Sequence, residues 1–316
     1  MIVTVTLNPA LDKTARIDVM CPNALNRLRD VQLDAGGKGI NVSAMIRALG
    51  GESIAVGFAG GGAGAELLSR IAQKGLHTDF VHIAAVTRTN LKVVDNDGAL
   101  TELNEPGPYI SDGEWFAMER KLVGLAIKGN TVVLSGSLPA GLGKDTYKRL
   151  SAMLRKNGVA VFLDADSEAF KLALENEPEA IPDYVKPNRF ELLQYFGIVD
   201  DERITDAELV ALCRSLLDKG VKLVALSMGG DGAMFVNRSG VWRAPGLQVQ
   251  VRSTVGAGDG MTGALVYGFA NALQDEQCFA LAIAASAGAC TTEGTNPPDS
   301  ASIDKLLKLT RIEKIA

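Results

Sequence analysis

The sequence predicts a doubly wound α/β fold, in which a mostly parallel sheet is flanked by helices. Three observations predict it. Apolar strand-like runs alternate with helix-like runs along the second half of the chain, the rhythm of a parallel sheet with helices on both faces. Segments rich in Gly, Asn and Asp follow the strands, where open sheets of this kind bind ligands beyond the strand carboxyl ends. Two stretches, about 12–34 and 87–104, break the rhythm.

The first strand is the alternating run Met1-Ile2-Val3-Thr4-Val5-Thr6-Leu7. The turn Asn8-Pro9-Ala10-Leu11-Asp12 follows it. Asp12 there reads either as a turn-stabilising side chain or as an acceptor for a sugar diol. Next, Gly36-Gly37-Lys38-Gly39-Ile40-Asn41 opens a helix with the apolar stripe Val42, Met45, Ile46 and Leu49, closed by Gly50-Gly51. Residues 90–94, the turn Asp95-Asn96-Asp97-Gly98 and residues 99–103 read as a hairpin. Buried strands are expected at Thr131–Ser135, 159–164 and 222–227, and helices at 144–156 and 206–219. Ser135-Gly136-Ser137 follows one of these strands.

In Lys186-Pro187-Asn188-Arg189-Phe190-Glu191, Asn188 and Glu191 lie three apart on one helix face. That spacing fits a capping box, and it equally fits a pair holding water around Mg²⁺. Ser227-Met228-Gly229-Gly230-Asp231-Gly232 is a tight turn between strands. Gly294-Thr295-Asn296 follows an apolar helix at 279–291.

The richest segment is Ser253-Thr254-Val255-Gly256-Ala257-Gly258-Asp259-Gly260, running into Met261-Thr262-Gly263-Ala264-Leu265-Val266. A helix N-terminus carries free N–H groups and the positive end of the macrodipole, and glycine lets backbone approach an anion, usually phosphate. Asp259 either caps that helix or accepts a proton from a hydroxyl attacking phosphorus.

What is missing narrows the chemistry. No G-x-x-x-x-G-K-[ST] occurs, and no G-x-G-x-x-G follows the first strand, which disfavours Walker-type nucleotide sites and dinucleotide oxidoreductases. His77 and His82 are the only histidines among 316 residues, and neither lies in a candidate loop. The general base is therefore a carboxylate, and Asp259 is the choice.

These blocks, in this order and over essentially the whole chain, resemble the signatures of the ribokinase/PfkB sugar-kinase family. The resemblance implies a ribokinase-like domain over 1–316 in which 12–34 and 87–104 form a small β-sheet lid over the sugar. It implies ATP as phosphoryl donor and Mg²⁺, held through water by Asn188 and Glu191. Asp259 is then the catalytic base, and Gly256, Ala257 and Gly258 supply backbone N–H groups to the transferred phosphoryl. Asp12, Gly37, Asn41, Asn90 and Ser137 bind the sugar. In members that act on phosphosugars, basic residues matching Arg27, Lys38 and Arg88 grip the substrate phosphate. Lys186, Asn188, Ser227, Gly229, Gly230, Gly232, Gly258 and Asn296 line the nucleotide site. The blocks look most like members that convert fructose 1-phosphate to fructose 1,6-bisphosphate. Tagatose 6-phosphate and fructose 6-phosphate are the alternative acceptors. Two other classes stay open: a non-catalytic nucleotide sensor on this fold, whose base and anion hole ought to have decayed, and an NAD-linked enzyme.

Composition agrees with a small-molecule enzyme. Hydrophobic residues make up 47% and charged residues 22%, with a net charge of −5, which argues against nucleic acid as a partner. An anionic substrate then needs a local cluster of Arg and Lys. Cys21, Cys213, Cys278 and Cys290 have no metal or redox spacing and are read as reduced thiols of a cytoplasmic protein. No basic leader and no membrane-spanning apolar run is apparent. An exposed lid edge strand is a liability that a lid-to-lid homodimer would cover.

Overall fold

Alternation along the strands explains why the main sheet is covered on both faces. Val132 and Leu134, Val161 and Leu163, Val224 and Leu226 pack into one core, whereas Val133, Phe162 and Ala225 between them pack into another. The computed structural model describes residues 1–165, 167–199 and 204–316. The chain begins with β1 (Ile2–Thr6), β2 (Ala10–Arg16), β3 (Arg29–Gly36), α1 (Lys38–Ala48), β4 (Ser53–Ala59) and α2 (Gly61–Gln73). It continues through β5 (His77–Thr78), β6 (Val81–His82), β7 (Arg88–Val94), β8 (Leu100–Asn104), α3 (Asp112–Leu125), β9 (Thr131–Ser135), α4 (Thr146–Lys156) and β10 (Ala160–Asp164). Then come α5 (Ser167–Ala173), β11 (Tyr184–Val185), α6 (Arg189–Tyr195), α7 (Asp206–Asp218), β12 (Leu223–Ser227), β13 (Ala233–Asn237) and β14 (Gly240–Ala244). Helices α8 (Ala257–Ala270), α9 (Asp275–Ala289) and α10 (Ser300–Leu307) and strand β15 (Glu313–Lys314) complete it.

The main sheet has the order β15-β14-β13-β12-β11-β10-β9-β1-β4-β5, and β6 also pairs with β4. From β4 across to β12 the pairs are parallel, and β12 to β15 are antiparallel. The chain leaves β1 toward β4 and later returns to β9 on its other side, so a topological switch point lies between β1 and β9. The segments after β1, β9, β10 and β11 converge there.

A separate sheet, β3-β2-β7-β8, stands beside the first. It contains the two segments that break the rhythm. The hairpin β7–β8 pairs Asn90 with Asn104 and Val94 with Leu100. Its turn is held by Asp95 Oδ1, which accepts from the N–H groups of Asp97 and Ala99.

Two helix starts differ from the sequence reading. Helix α4 starts at Thr146 rather than at 144, because Thr146 closes a turn on Gly143 with both its N–H and its hydroxyl. Helix α9 occupies Asp275–Ala289 rather than 279–291. Gln277 Oε1 accepts from Gln274 N–H there at 3.1 Å, and this polar first turn lies outside the apolar run that suggested the helix.

One close approach matters for the site. A Cβ on Gly263 of α8 would stand 2.8 Å from Met45 Cβ, and one on Gly260 would stand 3.1 Å from Met45 Cε. These glycines let α8 press on α1, the helix whose first turns reach into the cleft.

Candidate active site

A cavity of about 460 Å³ opens over the switch point. Its lining comes from the turn after β1 (Asn8), from β2 (Asp12), from the start of α1 (Gly37, Lys38, Asn41) and from β7 (Arg88, Asn90). Ser137, Asp164, Lys186, Asn188, Glu191 and Ser227 follow or end strands β9 to β12, and Gly256, Gly258 and Asp259 come from the start of α8.

Helix α8 begins directly after Gly256, whose left-handed backbone (φ 85°) suits glycine. No side chain caps this end; Ala257 N–H turns back to the Thr254 carbonyl at 3.4 Å, while Gly256 and Gly258 line the cavity. Asp259, in the first turn, is only 7% exposed. Its Oδ2 accepts a hydrogen bond from Asn41 Nδ2 at 2.7 Å. Burial, and then the neighbouring Asp164 carboxylate, raise the Asp259 carboxyl to about 6; Asn41, Lys38 and Lys186 act in the opposite direction. A carboxylate so poised is suited to taking a proton near neutrality.

Asp164, the last residue of β10, is the hub beside Asp259, and Thr262 of α8 donates to its Oδ2 at 3.3 Å. Lys38 Nζ lies 3.0 Å from its Oδ1 and Lys186 Nζ 3.3 Å from its Oδ2. Burial alone drives this carboxyl up, but Lys186 and Lys38 outweigh burial and hold it below the usual carboxylate range. The Asp164 charge in turn raises Lys38 above an ordinary lysine, against the effect of burial. Lys186 also lies against α8, since a Cβ on Gly258 would meet its Nζ at 3.0 Å.

The third wall belongs to the small sheet. Arg88, Asn90 and Lys92 alternate along β7 and share a face. Asn90 Nδ2 and Lys92 Nζ donate to the two oxygens of Asp12, each at 3.0 Å. Arg88 donates to the carbonyls of Glu105 and Asn8 at 2.9 and 3.0 Å. Burial lowers the Arg88 guanidinium from its ordinary value. Asn8 Nδ2 donates to Ser137 Oγ at 3.2 Å. Unpartnered buried polar atoms concentrate here: Thr6 Oγ1, Asn8 Oδ1, Arg88 Nε, Asn90 Oδ1 and Thr295 Oγ1 all belong to residues lining this cavity. Buried polar groups ordinarily find partners, so such a cluster marks where a polar ligand binds.

A second cavity, about 280 Å³, adjoins the first at Ser227 and Gly258. It is lined by Gly229, Gly230 and Gly232 from the turn after β12, by Ala257, and by apolar residues such as Leu247, Val249, Met261 and Ile283. Gly232 (φ 90°) has no room for a side chain, because a Cβ would stand 2.1 Å from Ala244 O. This narrow, largely apolar slot suits a flat heterocycle.

Asn188 and Glu191 form the full capping box at α6: Asn188 Oδ1 accepts from Glu191 N–H, and Glu191 Oε2 from Asn188 N–H, both at 2.8 Å. Both residues also line the first cavity.

Two expected residues are not brought in. Arg27 is exposed and lines neither cavity. Its segment folds back on itself through paired bonds between Asn26 and Cys21. Asn296 also lines neither; its Nδ2 bonds Glu293 O in its own turn, and Thr295 faces the first cavity instead. Lys38 is in the cavity, but on Asp164 rather than beside Arg88. Sequence reasoning passed over Asp164 and Lys92. Each left a trace: Asp164 is a lone carboxylate ending an apolar strand, and Lys92 continues the period of Arg88 and Asn90.

A helix start, a buried carboxylate in its first turn and strands of a small separate sheet meet in one cavity, an arrangement that fits a kinase of the carbohydrate class. Residues 5–302 match the family described as pfkB family carbohydrate kinase. The chain is 40% identical over 291 residues to a 1-phosphofructokinase of Xanthomonas campestris pv. campestris, covering 90% of this chain and 89% of that one. It is 35% identical over 316 residues to a 1-phosphofructokinase of Borreliella burgdorferi, covering 100% and 99%. The structure of phosphofructokinase-2 from Escherichia coli in complex with fructose-6-phosphate superposes with a TM-score of 0.89 at 28% identity, covering 98% of each chain. The protein belongs to the pfkB family of carbohydrate kinases.

Proposed function

We propose that the protein transfers the γ-phosphoryl group of ATP to the C6 hydroxyl of fructose 1-phosphate, yielding fructose 1,6-bisphosphate and ADP. The observation that carries this reading is the pairing, in one cavity, of a buried carboxylate at the positive end of α8 with Arg88 and Asp12 on the small sheet. The names of the relatives support the choice of fructose 1-phosphate.

Asp12, pinned by Asn90 and Lys92, accepts from sugar hydroxyls, and Asn90 Oδ1 and Asn8 Oδ1 take further ones. Arg88, with a free buried Nε, receives the phosphate already on the sugar. Asn41 aims the Asp259 carboxylate, which accepts the proton of the attacking hydroxyl. The first N–H groups of α8 meet the charge on the transferred group. The nucleoside occupies the apolar slot beside Gly258.

Among the described residues, no group of three or more His, Cys, Asp or Glu side chains forms a metal cage. The amide of Asn188 and the carboxylate of Glu191, both lining the first cavity, fit Mg²⁺, which keeps most of its waters. Glu191 and Asn188 would hold the ion through water, and when bound it neutralises phosphate charge.

A kinetic panel with fructose 1-phosphate, fructose 6-phosphate, tagatose 6-phosphate and free fructose tests the proposal. Fructose 1-phosphate is expected to have the highest kcat/KM. Equal use of free fructose would overturn the phosphosugar reading, and a higher value for either 6-phosphate would change the acceptor. Removing Arg88 by Arg88→Ala is expected to raise KM for the phosphosugar roughly tenfold to a hundredfold, the worth of a charge-assisted phosphate contact, and to leave KM for ATP nearly unchanged.

A further inference from the structure

The slot beside Gly258 has two backbone walls. One is the turn after β12, which contributes Gly229, Gly230 and Gly232, and the other is the segment after β14, which contributes Gly246, Leu247 and Val249. At their seam the walls leave no room for a side chain: a Cβ on Gly232 would stand 2.1 Å from Ala244 O, and one on Gly246 would stand 2.1 Å from Gly230 O. The turn closes on itself through Met228 N–H to Gly232 O at 2.8 Å and Gly232 N–H to Gly229 O at 3.1 Å. With glycine at 229, 230 and 232 it is nonetheless loose backbone, since glycine has the widest choice of φ and ψ. A ligand that has to order such a turn loses affinity.

Arg243 of β14 lies across this seam. Along β14, Val241 packs into the core that contains the α7 residues, and Trp242 into the other core. Alternation then returns Arg243 to the α7 side. Its Nη1 carries two N–H groups. They donate to Asp231 O, in the turn, at 2.7 Å and to Ala244 O, at the start of the other wall, at 2.8 Å. Its Nε lies 3.3 Å from Asp206 Oδ2, on the first residue of α7. One guanidinium thus staples the turn before β13 to the exit of β14 and ties both to a helix. Its side chain is 24% exposed and stands outside the slot.

We propose that Arg243 is a positioning residue for the nucleotide: it holds the glycine-rich turn against the segment after β14 and so fixes the width of the slot, while making no contact with the nucleotide itself. This rests on the reading above that the nucleoside occupies this slot. The donor is charged, so its bonds to the two carbonyls are stronger than neutral ones. They are made before the ligand arrives, so the turn is already ordered in the free protein. Because Arg243 acts on the walls around the heterocycle, its effect is the same for AMP, ADP and ATP. A cation acting through space on the phosphates would instead matter more with each phosphate added.

The test uses Arg243→Met, Arg243→Lys and Asp206→Asn in calorimetric binding of AMP, ADP and ATP and in steady-state kinetics. Arg243→Met keeps the stem and removes the donors, and is expected to weaken all three nucleotides by one common factor of about tenfold. KM for ATP should rise alike, with KM for fructose 1-phosphate and kcat at saturating ATP little changed. Arg243→Lys should recover part of the affinity, and Asp206→Asn, which leaves both carbonyl bonds, should bind ADP as the wild type does. If Arg243→Met does not fold, Arg243→Lys carries the same test, through a smaller rise in KM for ATP alone. Unchanged nucleotide affinity in Arg243→Met would overturn the assignment, as would a loss that grows from AMP to ATP or an equal rise in KM for fructose 1-phosphate. Gly230→Val separates these outcomes from failure of the slot itself. Gly230 lines the slot and a Cβ there meets nothing within 4 Å, so the added side chain fits the fold and obstructs the ligand. ADP binding that survives Gly230→Val would overturn the nucleotide reading of the slot, and this assignment with it.

Discussion

At the scale of the residue, Asp259 is caught between stability and activity. Burial and Asp164 raise its carboxyl from 3.8 to about 6 in the folded protein. Between those values the folded chain binds the proton more tightly than the unfolded chain does. The associated stabilisation is full below about pH 4 and is lost as pH rises through about 6. Above pH 6 the ionised carboxylate opposes folding, by an amount on the order of 2–3 kcal/mol. Asp259→Asn is therefore expected to melt a few degrees above wild type at pH 7.5, and the gain should vanish near pH 4. The same substitution removes the base, so kcat should fall by roughly two to four orders of magnitude. A folded variant that retains more than a tenth of wild-type kcat would rule out this role. In the wild type, kcat/KM should rise with pH through about 6 and then level, because the free enzyme must hold Asp259 ionised.

At the scale of the element, the site depends on how closely α1 and α8 meet. Asn41 reaches Asp259 at 2.7 Å only because Gly260 and Gly263 leave room for Met45. A methyl at Gly263 meets Met45 Cβ at 2.8 Å and the Val42 carbonyl at 3.1 Å. Neither can swing aside like the end of a long side chain. Gly263→Ala is thus expected to destabilise the protein by roughly 1–3 kcal/mol, despite alanine's better helix propensity. It should also lower kcat by moving Asn41 off Asp259, with KM for ATP little changed. Thermal unfolding and kinetics on the same sample check both halves, and unaltered melting would show that the helices can part freely.

At the scale of the molecule, the small sheet lacks a cover along its β8 edge. Strand β8 is exposed along its whole length, and Val31, Leu100 and Leu103 are between 47% and 51% exposed. An unpaired edge with apolar side chains invites another strand or sheet. A homodimer joined through this sheet is expected at micromolar concentration, and Leu103→Asp should weaken it. Sedimentation of a fully active monomer would refute the dimer. Among the described residues no helix is long and apolar enough to cross a membrane.

The β/α rhythm, the glycine-rich helix starts and the capping box at Asn188 were legible in the sequence because each rests on local physics. Period-two burial, free N–H groups at a helix start, and side chains three residues apart need no distant partner. Asp259 could likewise be named, since it sits at a helix start, whereas Arg88 and the sugar role of Asp12 came from the resemblance to the pfkB family. What only the tertiary structure decided is which groups meet. Lys38 pairs with Asp164, 126 residues away. Asn41 meets Asp259 across 218 residues, and Arg27 remains outside the cavity. Such pairings depend on strand order and on the distance between packed helices. A chain read in one dimension carries neither, because the free energy of a charge is set by its neighbours in space.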